Sequence, residues 1–362
     1  MNSLKEKFLI LSDGSIYEGY KFGFSGEAIG EVVFNTSMTG YQEMLTDPSY
    51  GGQILVSTYP MIGNYGILDG INESKKIQVN SYVIRDLCED PYHYANKGTL
   101  DNFLIRNKIP GIHSIDTRSL TRKIRNFGSK MGIVTNSNNI DEALIKLKRF
   151  GEYEDYNYVE NVSSKSISNY PSKNKRNLSI ALIDFGVKNN IIRILNSRGC
   201  DVKVFPWNYD FSKIMSLDFN GVVISPGPGD PSVLSEKIKD LRILSDNLPT
   251  LGICLGHQIL AKLYGGSTFK LLFGHRGANQ PVKDLLSGRI YPTSQNHGFA
   301  VSKKNFPEEL EITHLNINDD TISGFRHKSK PILSIQYHSE ACPGPVDSEY
   351  IFDEFLRKIV EK

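Results

Sequence analysis

The stretch LSIALIDFGVKNNIIRILNSRGCDVKVF (178–205) decides the fold of the second half of the chain. Residues 178–183 form a continuous apolar run, which is typical of a strand buried on both faces of a parallel sheet. Residues 189–198 carry apolar side chains at helical spacing and are followed by Gly199, a residue that favours helix ends. A second apolar run at 202–205 completes a strand–helix–strand unit, so we expect parallel strands joined by a right-handed crossover.

Strand and helix continue to alternate beyond this unit. Apolar runs at 221–225 and 250–253 predict two more strands of the same kind. An amphipathic pattern at 347–360 predicts a final helix, and its periodicity favours packing in the core over a partner contact. We therefore predict an α/β domain over 178–362, with an open, mostly parallel sheet flanked by helices. In such sheets catalytic groups lie at the carboxyl ends of the strands.

The first half of the chain has a different pattern. Residues 1–150 contain short strand-like runs separated by Gly- and Pro-containing turns, without regular alternation with helices. We predict an N-terminal α+β domain with mixed β-structure. Residues 151–177 lose apolar periodicity and are rich in Asn, Ser, Lys and Tyr, so we predict a linker between the domains. The expected elements of the first domain are strands at 8–11, 16–17, 31–35 and 53–57 and helices at 119–127 and 141–149.

Composition and charge argue against several classes of protein. A length of 362 residues suggests two or three domains at roughly 150 residues each. The hydrophobic content of 39% argues against disorder, and the net charge of +2 gives no reason to expect a nucleic-acid partner. No apolar run approaches the ~18 residues of a membrane span, and no signal peptide is expected after Met1. Four cysteines in a chain of this length suit a reducing compartment, so we expect a cytoplasmic protein.

One cysteine stands where a nucleophile is expected. The pattern Gly-Ile-Cys-Leu-Gly (252–256) ends the fourth predicted strand and precedes a predicted helix at 258–264. A Gly-x-nucleophile-x-Gly turn needs both glycines because a Cβ at either site would clash in so sharp a bend. Cys254 would lie at a helix N-terminus, whose partial positive charge favours a thiolate. A buried structural cysteine is the alternative, and five residues alone leave it open. The other cysteines, none of them in a Cys-x-x-Cys pair that would suggest a metal site, are Cys88, Cys200 and Cys342.

A cysteine nucleophile needs a base, and the segment ILSIQYHSE (332–340) supplies a candidate. We predict a strand that ends in these residues, so the period of two would place His338 and Glu340 on one face. The carboxylate would then hold the imidazole in one tautomer, as acyl-transfer sites require. The remaining histidines are interpreted as ordinary surface or packing residues.

Attack on an amide also needs hydrogen-bond donors for the developing oxyanion. The loop SPGPGDP (225–231) follows a predicted strand, and Gly227 or Gly229 would aim a backbone N–H inward, whereas Pro228 has none. With the N–H of Leu255 this gives a donor pair. A rigid Pro-Gly turn without a catalytic role is the alternative. The loop does not read as a phosphate site, because it matches neither common glycine-rich phosphate motif.

Several motifs together resemble known families. In the second half they are PGPGDP (226–231), GICLGHQ (252–258), SQNHGF (294–299) and QYHSE (336–340), and in the first half FNTSMTGYQEMLTDPSY (34–50), NYG (64–66), IDTRSLTRKIR (115–125) and MGIV (131–134). The second-half set closely resembles the class I, triad-type glutamine amidotransferases, which have a flavodoxin-like fold. The first-half set, with GANQPVKDL (277–285), resembles the carbamoyl phosphate synthetase small subunit. Arg276 and Gln280 are small departures from that pattern.

The resemblance implies hydrolysis of L-glutamine to glutamate and ammonia, with the ammonia passing internally to a separate large subunit. That subunit uses bicarbonate and ATP to make carbamoyl phosphate for arginine and pyrimidine biosynthesis. The resemblance also implies a heterodimer or a higher oligomer, with ATP and Mg only on the large subunit. No cofactor or metal is expected in this chain, and no nucleic acid or membrane partner.

Roles for individual residues follow from the resemblance. Cys254 would be the nucleophile that forms a γ-glutamyl thioester, His338 would move the protons, and Glu340 would orient His338. By its own pattern Ser37 is only a turn residue, and His297 an ordinary loop histidine. The residues implied to hold the glutamine or its oxyanion are Gly227, Gly229, Leu255, Gln258, Asn296, Gly298 and Phe299, with Ser37 contributed by the first domain.

Three alternatives differ from this interpretation in specific features. An amidotransferase subunit of another synthetase, such as one for anthranilate or GMP synthesis, would not need the first domain. A stand-alone cysteine hydrolase or γ-glutamyl peptidase would share the cysteine turn but would not explain residues 34–66. A non-catalytic docking or regulatory subunit would not need Cys254, His338 and Glu340 together.

Overall fold

A computed structural model describes residues 6–174, 176–234 and 236–361 and divides the chain into two compact units. The first unit extends to Tyr156 and the second begins at Asn157. The first unit contains β1 (Glu6–Leu11), β2 (Ile16–Gly23), β3 (Ala28–Asn35), α1 (Tyr41–Thr46), β4 (Gln53–Ser57), β5 (Met61–Ile62), β6 (Ser81–Val83), β7 (Asp86–Leu87), α2 (Leu100–Arg106), β8 (Pro110–His113), α3 (Thr117–Phe127), β9 (Lys130–Thr135) and α4 (Ile140–Phe150), with 3₁₀ turns at Pro48–Tyr50 and Tyr153–Asp155.

The strands of the first unit form a closed barrel, which the sequence did not predict. Among the described residues up to Tyr156, seven strands close in the order β1-β2-β8-β6-β4-β3-β9. The pairs β3–β4, β4–β6 and β6–β8 are parallel and the others antiparallel, so the predicted mixed β-structure is present. Closure leaves no free sheet edge. Every position of β4 (QILVS) is buried, including the polar Gln53 and Ser57 at its ends.

Helix ends in this unit follow from residues visible in the sequence. The Asn139 side chain accepts a hydrogen bond from the Glu142 N–H (3.1 Å) and so begins α4. Gly151, with φ 88°, follows its last residue, because glycine adopts a left-handed backbone at low cost. The predicted helices at 119–127 and 141–149 are confirmed as α3 and α4, each starting slightly earlier than expected.

The second unit is built on one sheet. In the described residues from Asn157 onward, ten strands pair in the order β10-β12-β11-β13-β14-β19-β18-β17-β15-β16. The elements are α5 (Val159–Val162), β10 (Ser168–Tyr170), β11 (Leu178–Asp184), α6 (Asn189–Ser197), β12 (Cys200–Pro206), α7 (Phe211–Met215), β13 (Gly221–Ile224), α8 (Arg242–Asn247), β14 (Thr250–Ile253), α9 (Leu255–Leu263), β15 (Thr268–Asp284), β16 (Ile290–Val301), β17 (Leu310–Asn316), β18 (Ile322–His327), β19 (Ile332–Ile335) and α10 (Tyr350–Val360), with 3₁₀ turns at Pro231–Leu234 and Lys239–Leu241.

The parallel part of this sheet has the predicted arrangement. β12, β11, β13, β14 and β19 are neighbours in parallel, an order of 2-1-3-4-5 by position in the chain, which is the flavodoxin-like order. The sheet continues beyond β19 as the antiparallel strands β18, β17, β15 and β16. That extension was not predicted, because its strands mix polar and apolar residues without a regular period and lack long apolar runs.

Helices cover both faces of the parallel strands. On one face α7, α8 and α9 pack in a core that includes Phe205, Trp207 and Leu260, and on the other α6 and α10 pack around Leu195 and Phe355. The predicted C-terminal helix is therefore confirmed as a core element. Within the residues that the structure describes, none of the helices is long and apolar enough to cross a membrane.

The segment predicted as a linker is more structured than its composition suggested. Where the sequence predicts a linker over 151–177, the structure has a 3₁₀ turn, the short helix α5 and the strand β10. β10 pairs antiparallel with β12, with Tyr170 opposite Val202. Backbone pairing at the edge of a sheet needs little apolar sequence, so a polar segment joins the second unit without helical or strand periodicity.

Gly256, two residues after the predicted nucleophile, must be glycine because α9 packs closely on β13 there. A Cβ on Gly256 would lie 2.2 Å from the carbonyl oxygen of Ile224, which is backbone and cannot rotate away. We expect Gly256→Ala to destabilise the protein by about 1–3 kcal/mol or more, since overpacking shifts the backbone. The urea unfolding midpoint measures this.

Gly298→Ala is the matched control, because its nearest neighbour is the end of the Arg276 side chain at 3.3 Å. An equal loss of stability in the two variants would show that the contact between α9 and β13 is not the constraint.

Candidate active site

Cys254 lies in a sharp turn between β14 and α9. Its backbone has φ 53° and ψ −102°, a conformation that non-glycine residues rarely adopt, so the surrounding fold must hold it. The Cys254 N–H donates to the Ile335 carbonyl (2.8 Å), which ties the turn to the neighbouring strand β19. The prediction that the helix begins at 258 is wrong: α9 begins at Leu255, directly after the cysteine. The thiol is therefore at the helix N-terminus itself.

The sulfur of Cys254 is buried between one acceptor and one donor. The residue is 2% exposed. Sγ is 3.8 Å from the Asn296 carbonyl oxygen, and the Nε2 of Gln336 donates to it at 3.7 Å. Gln336 lies within the motif QYHSE (336–340), but its residue type and position alone do not predict a contact with the sulfur.

His338 and Glu340 form a short, fully buried pair. The Nδ1 of His338 is 2.6 Å from Glu340 Oε1, and their side chains are 1% and 0% exposed. Within the described part of the chain, the other ring nitrogen of His338 has no hydrogen-bond partner. One nitrogen is thus held by the carboxylate, and Nε2 is left for proton transfer.

The pair was predicted, but not the backbone that makes it. β19 ends at Ile335, so the strand predicted to run to residue 340 is wrong. His338 instead donates its N–H to the Ser294 carbonyl (2.8 Å), forming an isolated bridge to β16, and Glu340 lies in the turn that follows. A turn brings the two side chains together where a strand was expected to do so.

Lys188 is a buried partner of this pair that the sequence analysis missed. Its Nζ lies 3.3 Å from Glu340 Oε1, and its side chain is 6% exposed. It directly precedes α6, at the carboxyl end of β11. The sequence feature that could have indicated it is its position in the loop after the first parallel strand. Functional groups in this type of sheet lie at the carboxyl ends of the strands.

The charges of these three residues depend on one another. Burial alone would raise the pKa of Glu340, yet Lys188 and His338 lower it to about 2. Burial alone would lower the pKa of His338, but the negative charge of Glu340 is the largest opposing effect and holds it well above its usual range near 6.5. The group therefore contains an ionised carboxylate and a His338 that favours the protonated form at neutral pH.

The loop after β13 lies against the cysteine turn. A Cβ on Gly227 would lie 2.8 Å from Leu255 Cδ2 and 2.3 Å from the Phe185 carbonyl, so only glycine fits there. Gly229 has φ 92°, a left-handed conformation that favours glycine. Leu255 supplies the first backbone N–H of α9, which an α-helix does not use internally. The structure thus brings Gly227 against Leu255, the residue next to Cys254, while a donor role for Gly229 stays a prediction.

The residues implied to hold an amide substrate also meet here. Gln258, in the first turns of α9, donates to the Phe299 carbonyl (2.7 Å) and to Gln336 Oε1 (3.1 Å). Asn296 is buried on β16, and its side-chain Nδ2 has no partner among the described residues. Gly298 lies between Asn296 and Phe299 on the same strand. A buried donor without a partner is costly, which indicates a place for an acceptor from outside the chain.

Ser37 belongs to the first unit, and its role stays a prediction. Its N–H donates to the Asn35 side chain (2.7 Å), in the turn that leads from β3 to α1. His297 is structural: it is buried on β16, its Nδ1 bonds the Phe299 carbonyl (2.7 Å), and burial lowers its pKa well below the usual value. His257, fully buried next to Gln258, likewise bonds the Ser334 hydroxyl (2.8 Å).

No metal-binding cluster is found in the ranges that the structure describes. All four cysteines are free there, and Cys254 alone stands in a strand-to-helix turn with a histidine–carboxylate pair. A buried cysteine at such a turn, with a His–Glu pair on an adjacent segment of a flavodoxin-like sheet, defines the class I glutamine amidotransferases. The family model described as glutamine amidotransferase class-I matches residues 181–358.

The first half of the chain distinguishes among the families of class I glutamine amidotransferases. Residues 9–134 match the model described as the CPSase domain of the carbamoyl-phosphate synthase small chain. A carbamoyl phosphate synthase small chain from Staphylococcus haemolyticus is 48% identical and covers 99% of this chain and 97% of that protein. One from Clostridium perfringens is 47% identical, with coverage of 96% and 98%. A pyrimidine-specific small chain from Bacillus subtilis is 47% identical, with coverage of 97% and 95%. The chain belongs to the carbamoyl phosphate synthase small chain family.

The charge on Glu340 sets the protonation of His338. Glu340→Gln keeps a hydrogen-bond acceptor but removes the charge, so burial should lower the pKa of His338 toward or below its usual value. Because its pKa is raised, His338 keeps its proton to higher pH than a free histidine does. When the Glu340 charge is removed, the pKa falls and His338 loses its proton at lower pH. We expect the alkaline limb of the glutaminase pH profile to move to lower pH and the rate to fall by about 100-fold or more.

Glu349→Gln is the control for this variant, because Glu349 pairs with Arg198 (2.8 Å) and lies away from His338. A Glu340→Gln enzyme with the wild-type alkaline limb would contradict the link between Glu340 and His338.

Lys188 is expected to stabilise the fold through Glu340. In Lys188→Met a buried carboxylate loses its cation, and breaking a buried pair costs about 3–5 kcal/mol. The pKa of Glu340 is lowered in the folded protein, so this stabilisation is present above the unfolded pKa of about 4.3 and is lost as pH falls toward about 2. The deficit measured by urea unfolding should therefore be full at pH 7 and shrink across that acidic window.

Lys146→Met is the control, since Lys146 forms an exposed ion pair with Glu27 at 2.8 Å. If the two lysine variants lost equal stability at pH 7, Lys188 would not have the role assigned to it.

Proposed function

We propose that this chain hydrolyses L-glutamine through a thioester on Cys254 and supplies the ammonia to a large subunit that makes carbamoyl phosphate. The observation that carries the proposal is the 2.6 Å contact between His338 and Glu340 beside a buried cysteine at a helix N-terminus. The match of residues 9–134 to the CPSase domain of the carbamoyl-phosphate synthase small chain supports a large subunit of that enzyme as the recipient of the ammonia.

The first step forms the thioester. With the thiol proton of Cys254 held on Nε2 of His338, the sulfur attacks the side-chain carbonyl carbon of glutamine. The oxyanion would be held by backbone N–H groups of Leu255 and of Gly227 or Gly229. The carbon–nitrogen bond then breaks while His338 returns the proton to the nitrogen, which leaves as ammonia. Glu340 stabilises the imidazolium throughout, because it keeps its charge when buried.

The second step releases glutamate. Water attacks the thioester carbonyl as His338 takes one of its protons, and the carbon–sulfur bond breaks with its electrons returning to Cys254. The same donors serve the second oxyanion. Gln258, Asn296, Gly298 and Phe299 are proposed to hold the glutamine, with the unpaired Nδ2 of Asn296 available to an acceptor on the substrate. Ser37 is proposed to take part from the first unit.

The division of labour between subunits fits the composition of the chain. We propose that ATP and Mg bind only the large subunit, and that this chain needs no cofactor of its own. A net charge of +2 suits a zwitterionic substrate and a protein partner, and we propose a cytoplasmic heterodimer or a higher oligomer of such pairs. Carbamoyl phosphate would serve arginine and pyrimidine biosynthesis.

The alternatives are less well supported. An amidotransferase subunit of another synthetase would not need a CPSase small-chain domain at residues 9–134. A stand-alone peptidase would not need it either. A non-catalytic docking subunit would not need to keep three buried charged or nucleophilic side chains together, because buried charges destabilise a fold unless they are paired.

The decisive variant is Cys254→Ser in the complete two-subunit enzyme. We expect it to abolish glutamine-dependent synthesis while ammonia-dependent synthesis continues, because only the nucleophile is removed. Mass spectrometry of the wild-type chain after brief mixing with glutamine should detect the γ-glutamyl thioester on the peptide that contains Cys254. Glutaminase activity is expected to be weak in the isolated chain and to increase when the large subunit is added.

Cys200→Ser is the control, since Cys200 is buried at the start of β12 and has no part in the proposed reaction. A Cys254→Ser complex that consumed glutamine at the normal rate would refute the assignment.

A further inference from the structure

Gln336 is a buried polar residue that the reaction described above does not use. It directly follows β19 and is 1% exposed. Its backbone N–H donates to the Ser323 carbonyl (2.9 Å), so its position is fixed by the sheet. Gln336 and His338, two residues apart, both act on Cys254.

The side-chain amides of Gln258 and Gln336 form a hydrogen-bond relay to the sulfur, in which Gln258 donates to Gln336 and Gln336 donates to Cys254. Gln258 Nε2 donates both to the Phe299 carbonyl (2.7 Å) and to Gln336 Oε1 (3.1 Å). With its oxygen used in this way, Gln336 can present only its Nε2 to the sulfur, at 3.7 Å. The amide orientation is therefore set by the network, and a donor faces Cys254.

The groups around the sulfur differ in which charge state of Cys254 they favour. Sγ donates to the Asn296 carbonyl and accepts from Gln336, and the buried His338 side chain also interacts with it. A carbonyl oxygen favours the neutral thiol, since it would repel a thiolate. An amide N–H favours negative charge on sulfur, and bonds to a charged atom are stronger than bonds to a neutral one.

We infer that Gln336 is a further catalytic residue, whose side-chain N–H stabilises the Cys254 sulfur whenever it carries negative charge. This happens twice if the chain works by the thioester route proposed above, on which the inference rests. The sulfur is negative when it attacks the substrate carbonyl, and again when it leaves with the electron pair of the carbon–sulfur bond. Through Gln258, the relay also couples that donor to a residue proposed to hold the glutamine.

Two substitutions separate the halves of the relay. Gln336→Glu keeps an oxygen to accept from Gln258 but replaces the donor to sulfur with a carboxylate oxygen. Gln336→Met keeps the approximate volume and removes both bonds. We expect glutaminase kcat to fall at least about tenfold in both variants. The KM for glutamine should rise only in Gln336→Met, because only in that variant does Gln258 lose its hydrogen bond to residue 336.

A second measurement does not use glutamine. Iodoacetamide labelling near pH 7, followed at the peptide level by mass spectrometry, reports the reactivity of Cys254 in the assembled complex. We expect labelling at Cys254 to slow at least about tenfold in both variants, and more in Gln336→Glu, where a carboxylate faces the sulfur. Labelling at Cys88, which is partly exposed and lies in the first unit, should not change and is the internal standard.

Gln295→Met is the matched control, because Gln295 is also a glutamine that is 1% exposed, and it bonds Thr293 and His297 without touching the sulfur. Ammonia-dependent synthesis and thermal unfolding check that each complex is intact. Wild-type labelling and kcat in both Gln336 variants, with glutamine use abolished by Cys254→Ser, would overturn the role of Gln336 and leave the proposed function standing. The reverse result, slow labelling in the variants but normal glutamine use in Cys254→Ser, would support the contact and refute the thioester route.

Discussion

The rest of the site depends on keeping one carboxylate charged where water does not reach. Glu340 has no exposed surface, and an isolated charge in such a place would take up a proton. Lys188 and His338 prevent this, at 3.3 Å and 2.6 Å from the same oxygen. The ionised carboxylate in turn keeps His338 able to hold a proton above its usual pKa. Removing Glu340 would leave two buried cations without their shared counter-charge.

The parallel sheet explains how residues far apart in the chain meet within these distances. Lys188 follows β11, the Gly227 loop follows β13, Cys254 follows β14 and Gln336 follows β19, and these four strands are neighbours in that order. Parallel strands end at the same edge, so each contributes a residue to one side of the site. The antiparallel extension adds Asn296 from β16, which β15 connects to the sheet. The second unit therefore assembles the reacting groups from strand ends and one added hairpin.

The sequence predicted those parts of the site that have a local pattern. The Gly-x-Cys-x-Gly turn and the His-x-Glu pair are short, so their geometry follows from neighbouring residues, and both predicted contacts are present. Lys188 and Gln336 were missed because their partners are distant in sequence. The position of Lys188 after β11 indicated the edge of the sheet but not the residue that it contacts. The closed barrel and the strand within 151–177 were missed for a similar reason, since backbone pairing fixes them and leaves little trace in side-chain periodicity.

The same dependence on the sheet explains why the site is surrounded by so much apolar structure. Cys254 has an unfavourable backbone conformation, and Lys188, His338 and Glu340 are charged groups withdrawn from water. Neither feature would persist in an isolated turn, because the chain would relax or the groups would become hydrated. Two hydrophobic clusters lie one on each face of the sheet. The apolar surface that they bury stabilises the fold and offsets the cost of the Cys254 backbone conformation and of the buried charges. A large-to-small substitution in either cluster would weaken that support, since it would leave a cavity and bury less apolar surface.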